Sequence, residues 1–428
     1  MKNIVIVGGG AGGLELATRL GHKYGKNKQA NIILIDRNRT HIWKPLLHEV
    51  ATGSLDINSD GVVYRAHSHA HYYQFQIGTM IDLDSQNKRI TLSALLDDEG
   101  KEVLPERTQS FDILVLAVGS VSNDFGTQGV SENCFFLDSN KQAERFHQAL
   151  INHFMRINQQ SSKGELRLAI VGGGATGVEL AAELYHVASL INIYGMPDMS
   201  AKRLKIDLIE GGPRILQALP ERIAVKAKQE LVKLGVSIHE NVRVTQVDEK
   251  AVIADDLRIG ADLIVWAAGV KAPSFIQDID LFETNRSGQI VVKPTLQSTV
   301  DDSIYVIGDC CACQQKNGSW VPPRAQSAHQ MAGLVYRNII QNRQGEPLSE
   351  YVYKDHGSLV NLSKYSTVGS LMGNLSKGSM FVEGRIARFV YISLYRMHQV
   401  AIHGLLKAST VMLAQKIGGA VKPKIKLH

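Results

Sequence analysis

Short apolar runs alternate with amphipathic stretches along most of this chain. NIVIV at 3–7 leads into GGGAGG and then LELATRLGHK, where apolar positions recur at helical spacing. NIILID at 31–36 follows. The same layout returns at RLAIV (167–171), GGGATG, VELAAELYHVASL and LKIDLIE (204–210). Strands alternating with helices in this way predict parallel α/β units. FDILVLAVGS at 111–120 follows the first copy and ADLIVWAAGV at 261–270 follows the second, so the chain is duplicated in kind. A further strand, SIYVIGD at 303–309, precedes VPPRAQSAHQMAGLVYRNII at 321–340, which opens on two prolines and continues as a helix. The rhythm ends near residue 345. The expected organisation is one domain in two pieces (1–122 and 290–344), a second domain (123–289) and a C-terminal amphipathic region (345–428).

Composition narrows the class. With 428 residues, 44% apolar and 21% charged, the chain is an ordinary globular protein able to build a large core. The N-terminus shows no charged, apolar and cleavage regions in series, so export is not expected. Four cysteines (134, 310, 311, 313) are too few and too clustered for a disulfide scaffold, and they fit a reducing compartment. The net charge of +6 is mild, and no nucleic-acid partner is expected.

Gly8, Gly10 and Gly13 form G-x-G-x-x-G between a strand and a helix. The first glycine makes the tight turn, the second admits a pyrophosphate, and the third lets helix and strand pack closely. The helix N-terminus then presents N–H groups and the positive dipole end to the phosphates. Asp36 ends the second strand, placed for ribose hydroxyls. Gly172, Gly174 and Gly177 repeat the pattern with Glu210 as the acidic strand end, after an inserted NIYGMPDMSAKR. An acid there repels a 2′-phosphate, which favours NADH over NADPH, and Arg214 four residues on weakens that preference. Two loops imply two dinucleotides. The Gly-Asp at 308–309 looks like the second flavin fingerprint of two-dinucleotide flavoproteins, in which the aspartate binds the ribityl chain; a helix N-cap is the alternative. The first loop is then expected to hold FAD and the second NADH.

These residues carry a resemblance. Over essentially its whole length the chain resembles the type II NADH:quinone oxidoreductases, non-pumping respiratory enzymes, and looks close to their gammaproteobacterial branch. The carriers are VGGGAGGLELATRLG, HIWKPLLHEVATGSLD, AIVGGGATGVELAAEL, VWAAGV, IYVIGD, PPRAQSAHQ and EGRIARFVYISLYRMHQ. The last two are the specific ones. The resemblance implies tandem Rossmann-like domains with a C-terminal membrane-associating segment. It also implies one non-covalent FAD, NADH as substrate, and ubiquinone or menaquinone as acceptor. It places the protein peripherally on the cytoplasmic face of the inner membrane, with a homodimer possible.

The family's A-Q-x-A-x-Q motif stands here as Ala325, Gln326, Ser327, Ala328, His329 and Gln330. Small residues at 325, 328 and 332 would let a helix N-terminus approach a flat flavin ring, with a helix–helix contact as the alternative. Gln326 could then hydrogen-bond a quinone carbonyl. The resemblance adds Gln330 and Glu179 as catalytic candidates. Glu179 would lie where nicotinamide and flavin meet, tuning their complex or assisting proton delivery, with an ordinary helix-face glutamate as the alternative. It further places Gly9, Ala11, Gly12, Arg37, Lys44, Met80, Gly119 and Ala325 near the flavin and Gly269 near NADH.

Disulfide-reductase chemistry needs a cysteine pair soon after the first βαβ unit, and residues 37–60 hold none. Sulfide:quinone reductases need widely spaced redox cysteines, which Cys134 alone cannot supply. CCAC at 310–313 could bind a soft metal but has no second ligand cluster, so buried structural thiols are expected and no metal. His67, His69 and His71 alternate, which suggests a polar strand or loop face rather than a metal site. From Arg385 to His428 there are eight Lys or Arg and no acid. Polar positions 385, 388, 396, 399, 403 and 407 form one stripe at helical spacing. This predicts an interfacial helix, with Arg385, Arg388, Arg396 and Lys407 facing anionic lipid; a core-packed helix is the alternative. Two other functions share the loops: an NADH-dependent reductase of a small redox protein, and a non-catalytic flavin-bearing redox sensor. The first does not need the acid-free tail, and rapid quinone-dependent turnover would discard the second.

Overall fold

The computed structural model describes residues 1–160, 164–363, 366–372, 379–421 and 425–426. In chain order its first elements are β1 (Lys2–Val7), α1 (Ala11–Leu20), β2 (Ala30–Asp36), α2 (Leu47–Thr52), α3 (Tyr64–Ala70), β3 (Gln74–Ile77), β4 (Ile113–Leu116) and α4 (Asn140–Gln160). There follow β5 (Leu166–Val171), α5 (Ala175–Leu190), β6 (Leu204–Glu210), α6 (Glu221–Leu234), β7 (Ser237–Glu240) and β8 (Leu263–Trp266). The last are β9 (Ile304–Val306), α7 (Ala325–Gln344), β10 (Gly357–Leu362), α8 (Gly384–His403) and α9 (Leu405–Val421).

The chain divides into two compact units: 1–43, 61–121 and 270–354 form the first, and 44–60, 122–269 and 355–428 the second. The first is built on a parallel sheet of order β9-β4-β1-β2-β3, with Ile4 opposite Ile32 on one side and Ile113 on the other. The second is built on a parallel sheet of order β7-β6-β5-β8, with Leu168 between Ile206 and Leu263. In both, the strand that feeds the glycine loop is internal to its sheet and buried along residues 4–7 or 168–171, which explains why those runs show no alternation. Each unit also carries a three-stranded antiparallel sheet: Met80–Asp84, Arg89–Leu92 and Arg107–Ser110 in the first, Gln246–Asp248, Ala251–Ala254 and Leu257–Gly260 in the second. The duplication is therefore one of topology.

The unit boundaries differ from those expected. Residues 44–60 go with the second unit, because α2 buries Leu47, Val50 and Ala51 where it packs on α4 and α5. Six residues are too short for periodicity to announce such a helix. The chain returns to the first unit at Val270 rather than near 290, and residues 355–428 cluster with the second unit instead of standing apart.

Two local expectations also change. His67 and His69 lie in helix α3, so the three histidines do not share an alternating face. Helical spacing puts His67 and His71 on one buried side, their rings stacked at 4.1 Å, and leaves His69 exposed. The basic stripe is not continuous either. Gly404, at φ +77°, breaks the tail into α8 and α9 and separates Lys407 from Arg396. Gln399, expected among the outward polar positions, is buried and accepts a hydrogen bond from Arg396. Lys407 is exposed and Arg396 half-buried, while the side chains of Arg385 and Arg388 lie outside the described residues. Among the described residues no helix is long and apolar enough to cross a membrane.

Candidate functional site

In the first unit, the loop between β1 and α1 is shaped by its glycines. A Cβ on Gly8, which sits at φ +104°, would lie 2.2 Å from the Ala117 carbonyl oxygen, and one on Gly13 would lie 1.9 Å from the Gly8 oxygen. Only glycine fits at either place. Gly10 differs: it precedes α1 with no side-chain cap, and a Cβ there would meet nothing within 4 Å. The uncapped N–H groups of α1, including those after Ala11, thus open onto free space of the kind a dinucleotide phosphate fills. Asp36 is already tied to the loop, its Oδ2 accepting from the Gly9 N–H at 2.6 Å and its Oδ1 from the Asn38 N–H at 2.7 Å. Burial raises its pKa, opposed by these hydrogen bonds. The hydroxyl of Tyr64 donates to the Gly9 carbonyl at 2.7 Å, and its ring occupies the place a Gly9 Cβ would take. Sequence reasoning missed Tyr64, because a tyrosine 55 residues downstream carries no motif.

Asp309 lies inside the 3-10 turn Gly308–Cys310, so the N-cap alternative falls. Its Oδ2 accepts from the Ser120 hydroxyl at 2.8 Å, and its carbonyl accepts from Gln289 Nε2 at 2.7 Å. Gly119, next to Ser120, has φ +73° and open space at its Cβ position. Met80 is buried and Arg37 exposed, and Lys44 opens a half-buried turn of the second unit.

Helix α7 starts at Ala325, with Gln326 half-buried in the first turn. Two of its three small residues serve helix packing. Ala328 and Ala332 are buried, and a Cβ on Gly12 would lie 3.0 Å from the Ala328 carbonyl oxygen, which marks the close approach of α1. Gln330 is hydrogen-bonded to the Lys354 backbone: Nε2 donates to the carbonyl at 2.8 Å and Oε1 accepts from the N–H at 3.0 Å. His329 Nδ1 lies 2.6 Å from Glu15 Oε2.

In the second unit the same grammar recurs. A Gly172 Cβ would lie 2.6 Å from the Ala267 carbonyl carbon, a Gly177 Cβ 2.0 Å from the Gly172 oxygen, and Gly174 is open at the N-terminus of α5. Glu210 accepts from the Gly173 N–H at 2.8 Å, the Gly212 N–H at 2.7 Å and Gln217 Nε2 at 3.0 Å. Arg214 donates to the carbonyls of Leu216, Gln217 and Leu219 at 2.7–3.1 Å. It staples its own loop, and its guanidinium is committed to those carbonyls. Gly269 has φ +63°, and a Cβ there would run into the Phe125 ring.

Glu179, on the first turns of α5, is buried. Its Oε1 accepts from the Asn361 N–H of β10 at 2.9 Å, and its Oε2 lies 3.8 Å from His48 Nδ1. Burial, reinforced by the negative charges of Glu49 and Glu183, pushes its pKa up to about 8 against one opposing hydrogen bond from Asn361. The carboxyl is therefore mostly protonated at neutral pH. The same burial lowers the pKa of His48 and keeps its ring neutral. His48 lies within HIWKPLLHEVATGSLD, but nothing in that stretch points to Glu179, and only the fold brings the two together.

All four cysteines are free and buried. Burial raises the pKa of Cys134 and Cys310 to about 12 and of Cys313 to about 11, and takes Cys311 well above its usual value.

Comparison with known proteins adds the following. Residues 2–332 match the family "Pyridine nucleotide-disulphide oxidoreductase". A type II NADH:quinone oxidoreductase of Haemophilus influenzae is 46% identical over 444 aligned residues, covering 100% of both chains. One from Staphylococcus aureus is 29% identical over 87% of this chain and 90% of the relative. Among solved structures, NDH2 from Plasmodium falciparum in complex with NADH superposes with a TM-score of 0.82 at 20% identity, covering 99% of this chain and 100% of the other. The sulfide:quinone oxidoreductase of Aquifex aeolicus follows the same fold, with a TM-score of 0.73 at 17% identity, over 97% and 95%.

Proposed function

This chain belongs to the type II NADH:quinone oxidoreductases, and on that premise we propose which of its residues do the work. The enzyme is an FAD-dependent, non-pumping NADH:quinone oxidoreductase. FAD, when bound, takes hydride from NADH and passes two electrons to the quinone. One FAD rests on the first unit: the open N-terminus of α1 behind Gly10 meets its diphosphate, Asp36 its ribose, and Asp309, steadied by Ser120 and Gln289, its ribityl chain. NADH rests on the second unit, at the N-terminus of α5 behind Gly174, with Glu210 taking the ribose hydroxyls. The observation that carries this reading is the repeated open glycine at an uncapped helix start, paired each time with an acid bound to the same loop. Gln326 acts on the quinone, and Glu179 supplies a proton to it.

The membrane contact we assign to the apolar side of α9 and its junction with α8. Leu405, Leu406, Leu413 and Ile417 are 60–85% exposed and Met397 59%, with Lys407 among them. Such a face enters the headgroup boundary while cations meet anionic lipid. The protein is then peripheral on the cytoplasmic face of the inner membrane, drawing ubiquinone or menaquinone from the bilayer.

The test is NADH oxidation by the purified flavoprotein with a short-chain quinone, compared with NADPH. Rapid NADH-specific turnover is expected, and flavin reduction without quinone turnover would remove the reading. In Gln326→Leu, reduction by NADH should persist while reoxidation by quinone slows about tenfold to a hundredfold.

A further inference from the structure

Helix α2 places two neighbouring side chains on a line that ends at Glu179. Glu49 is 23% exposed in its side chain, His48 2% and Glu179 7%. Glu49 Oε1 lies 4.0 Å from His48 Nε2, and Glu179 Oε2 lies 3.8 Å from His48 Nδ1, so the two ring nitrogens face two different carboxyls. The ring is held by a hydrogen bond to the Pro45 backbone. Around it stand Glu183 on α5, whose carboxylate accepts from the Ser54 hydroxyl, the Asn361 N–H of β10, His147 of α4 against Gly53, and Tyr395 of α8, which lies within electrostatic reach of Asp60 and, more weakly, of Glu49. An imidazole and two carboxyls buried together are costly, and a packing role alone does not call for them.

Reduction of the quinone gives this cluster a task. NADH brings two electrons and one proton as hydride, and a quinol leaves with two protons. Each turnover therefore draws one proton from solvent. A buried carboxyl that gives up its proton must be reloaded before the next cycle.

We propose that Glu49 and His48 form the route by which a solvent proton reloads Glu179 after each quinone reduction. This rests on Glu179 being the proton donor. Glu49 takes a proton from water and passes it to one ring nitrogen of His48. The other ring nitrogen releases its proton to the Glu179 carboxylate, which leaves the ring in its opposite tautomer, and a flip of the ring restores the starting tautomer, with its hydrogen bond to the Pro45 backbone, before the next cycle. No electrons move in these steps. Each gap is about one ångström longer than a hydrogen bond, a distance that one bridging water or a small ring rotation closes. His48 is a positioning and relay residue and touches neither cofactor nor quinone in this scheme.

The experiment uses the full-length, flavin-loaded enzyme and the variants His48→Gln and Glu49→Gln. Reduction by NADH and reoxidation by a short-chain ubiquinone are followed separately by stopped flow, with ferricyanide as an acceptor that takes no proton. In His48→Gln, reoxidation by quinone should slow about tenfold to a hundredfold, with a larger solvent deuterium isotope effect and partial recovery on adding imidazole, while ferricyanide reduction holds. Glu49→Gln, a near-isosteric change at a side chain 23% exposed, should slow quinone reoxidation less. A second readout is independent of turnover: the infrared band of the protonated Glu179 carboxyl should titrate at about pH 8 in the parent and lower in Glu49→Gln. Quinone reoxidation and isotope effect in His48→Gln equal to the parent would overturn the route. So would an equal slowing toward ferricyanide, which would make His48 a packing residue. If the parent itself fails to reduce quinone, it is the assignment of function that fails.

Discussion

Helices α1 and α5 begin alike. Each follows a buried central strand and a three-glycine loop, and each carries a glutamate two positions after the third glycine, Glu15 and Glu179. Both are buried. One turn later they part: α1 has Arg19 where α5 has Glu183. Arg19 reaches back to Glu15 at 2.5 Å, and His329 of α7 meets the other oxygen, so the charge of Glu15 is paired. Glu179 instead has a second acid at that spacing, and among the described residues its ion-pair contact is a neutral histidine. At i+4 the two helices thus offer a buried glutamate opposite neighbours, a cation in α1 and an acid in α5, and at Glu179 the acid adds a little to burial, the main cause of its raised pKa.

The largest effect should come from Glu179→Gln. Its folded pKa of about 8 lies above the ordinary 4.5, so the native state holds an extra proton between those values and loses stability as pH rises through them. Glutamine does not titrate. The variant should therefore be more stable than the parent at pH 9, by up to roughly 5 kcal/mol, and alike at pH 4. Urea midpoints at both pH values decide it, and parallel midpoints would sink the stored-proton account. Next, Arg19→Leu should cost about 2 kcal/mol, below the 3–5 kcal/mol of a fully buried pair because Arg19 is 37% exposed in its side chain. A loss confined to a few tenths would show that His329 alone braces Glu15. The acids at the strand ends extend the comparison. Glu210→Gln should narrow the NADH/NADPH ratio in kcat/KM about tenfold, near 1.4 kcal/mol, because Arg214 is engaged elsewhere and cannot compensate. An unchanged ratio would return Arg214 to the question. The smallest change is Glu183→Gln. It should move the Glu179 carboxyl band to lower pH, and only slightly, since burial outweighs Glu183 as the cause of the shift.

The legible part of this protein was what local pattern dictates. The strand LKIDLIE was read at the same residues, 204–210, that the structure assigns, because an apolar run between turn residues has one outcome. The glycine loops were legible because Gly8, Gly13 and Gly177 are each demanded by a backbone approach of about 2 Å, and Asp36 and Glu210 because each ends the strand that follows its loop helix. What stayed hidden depends on segments far apart in sequence. Tyr64 under Gly9, Ser120 against Asp309 and His48 beside Glu179 meet only after folding. The tail was misread for a different reason. Helical periodicity runs straight through Gly404, and nothing in the polar spacing reveals that its backbone turns left-handed there. Gln330 belonged to the motif, yet its amide is taken up by the Lys354 backbone, a role that any exposed loop nearby could have claimed.

The buried thiols bear on durability. Cys310, Cys311 and Cys313 follow directly on Asp309, so three sulfurs are built next to the residue assigned to a flavin. Reduced flavins leak electrons to dioxygen, and the peroxide so made attacks thiolates far faster than thiols. With its pKa near 12, Cys310 is ionised in only about one molecule in 10⁵ at pH 7. Keeping these sulfurs dry makes them poor targets for the by-product of the enzyme's own turnover, so oxidative wear should fall on exposed methionines such as Met397 before it reaches the flavin cradle.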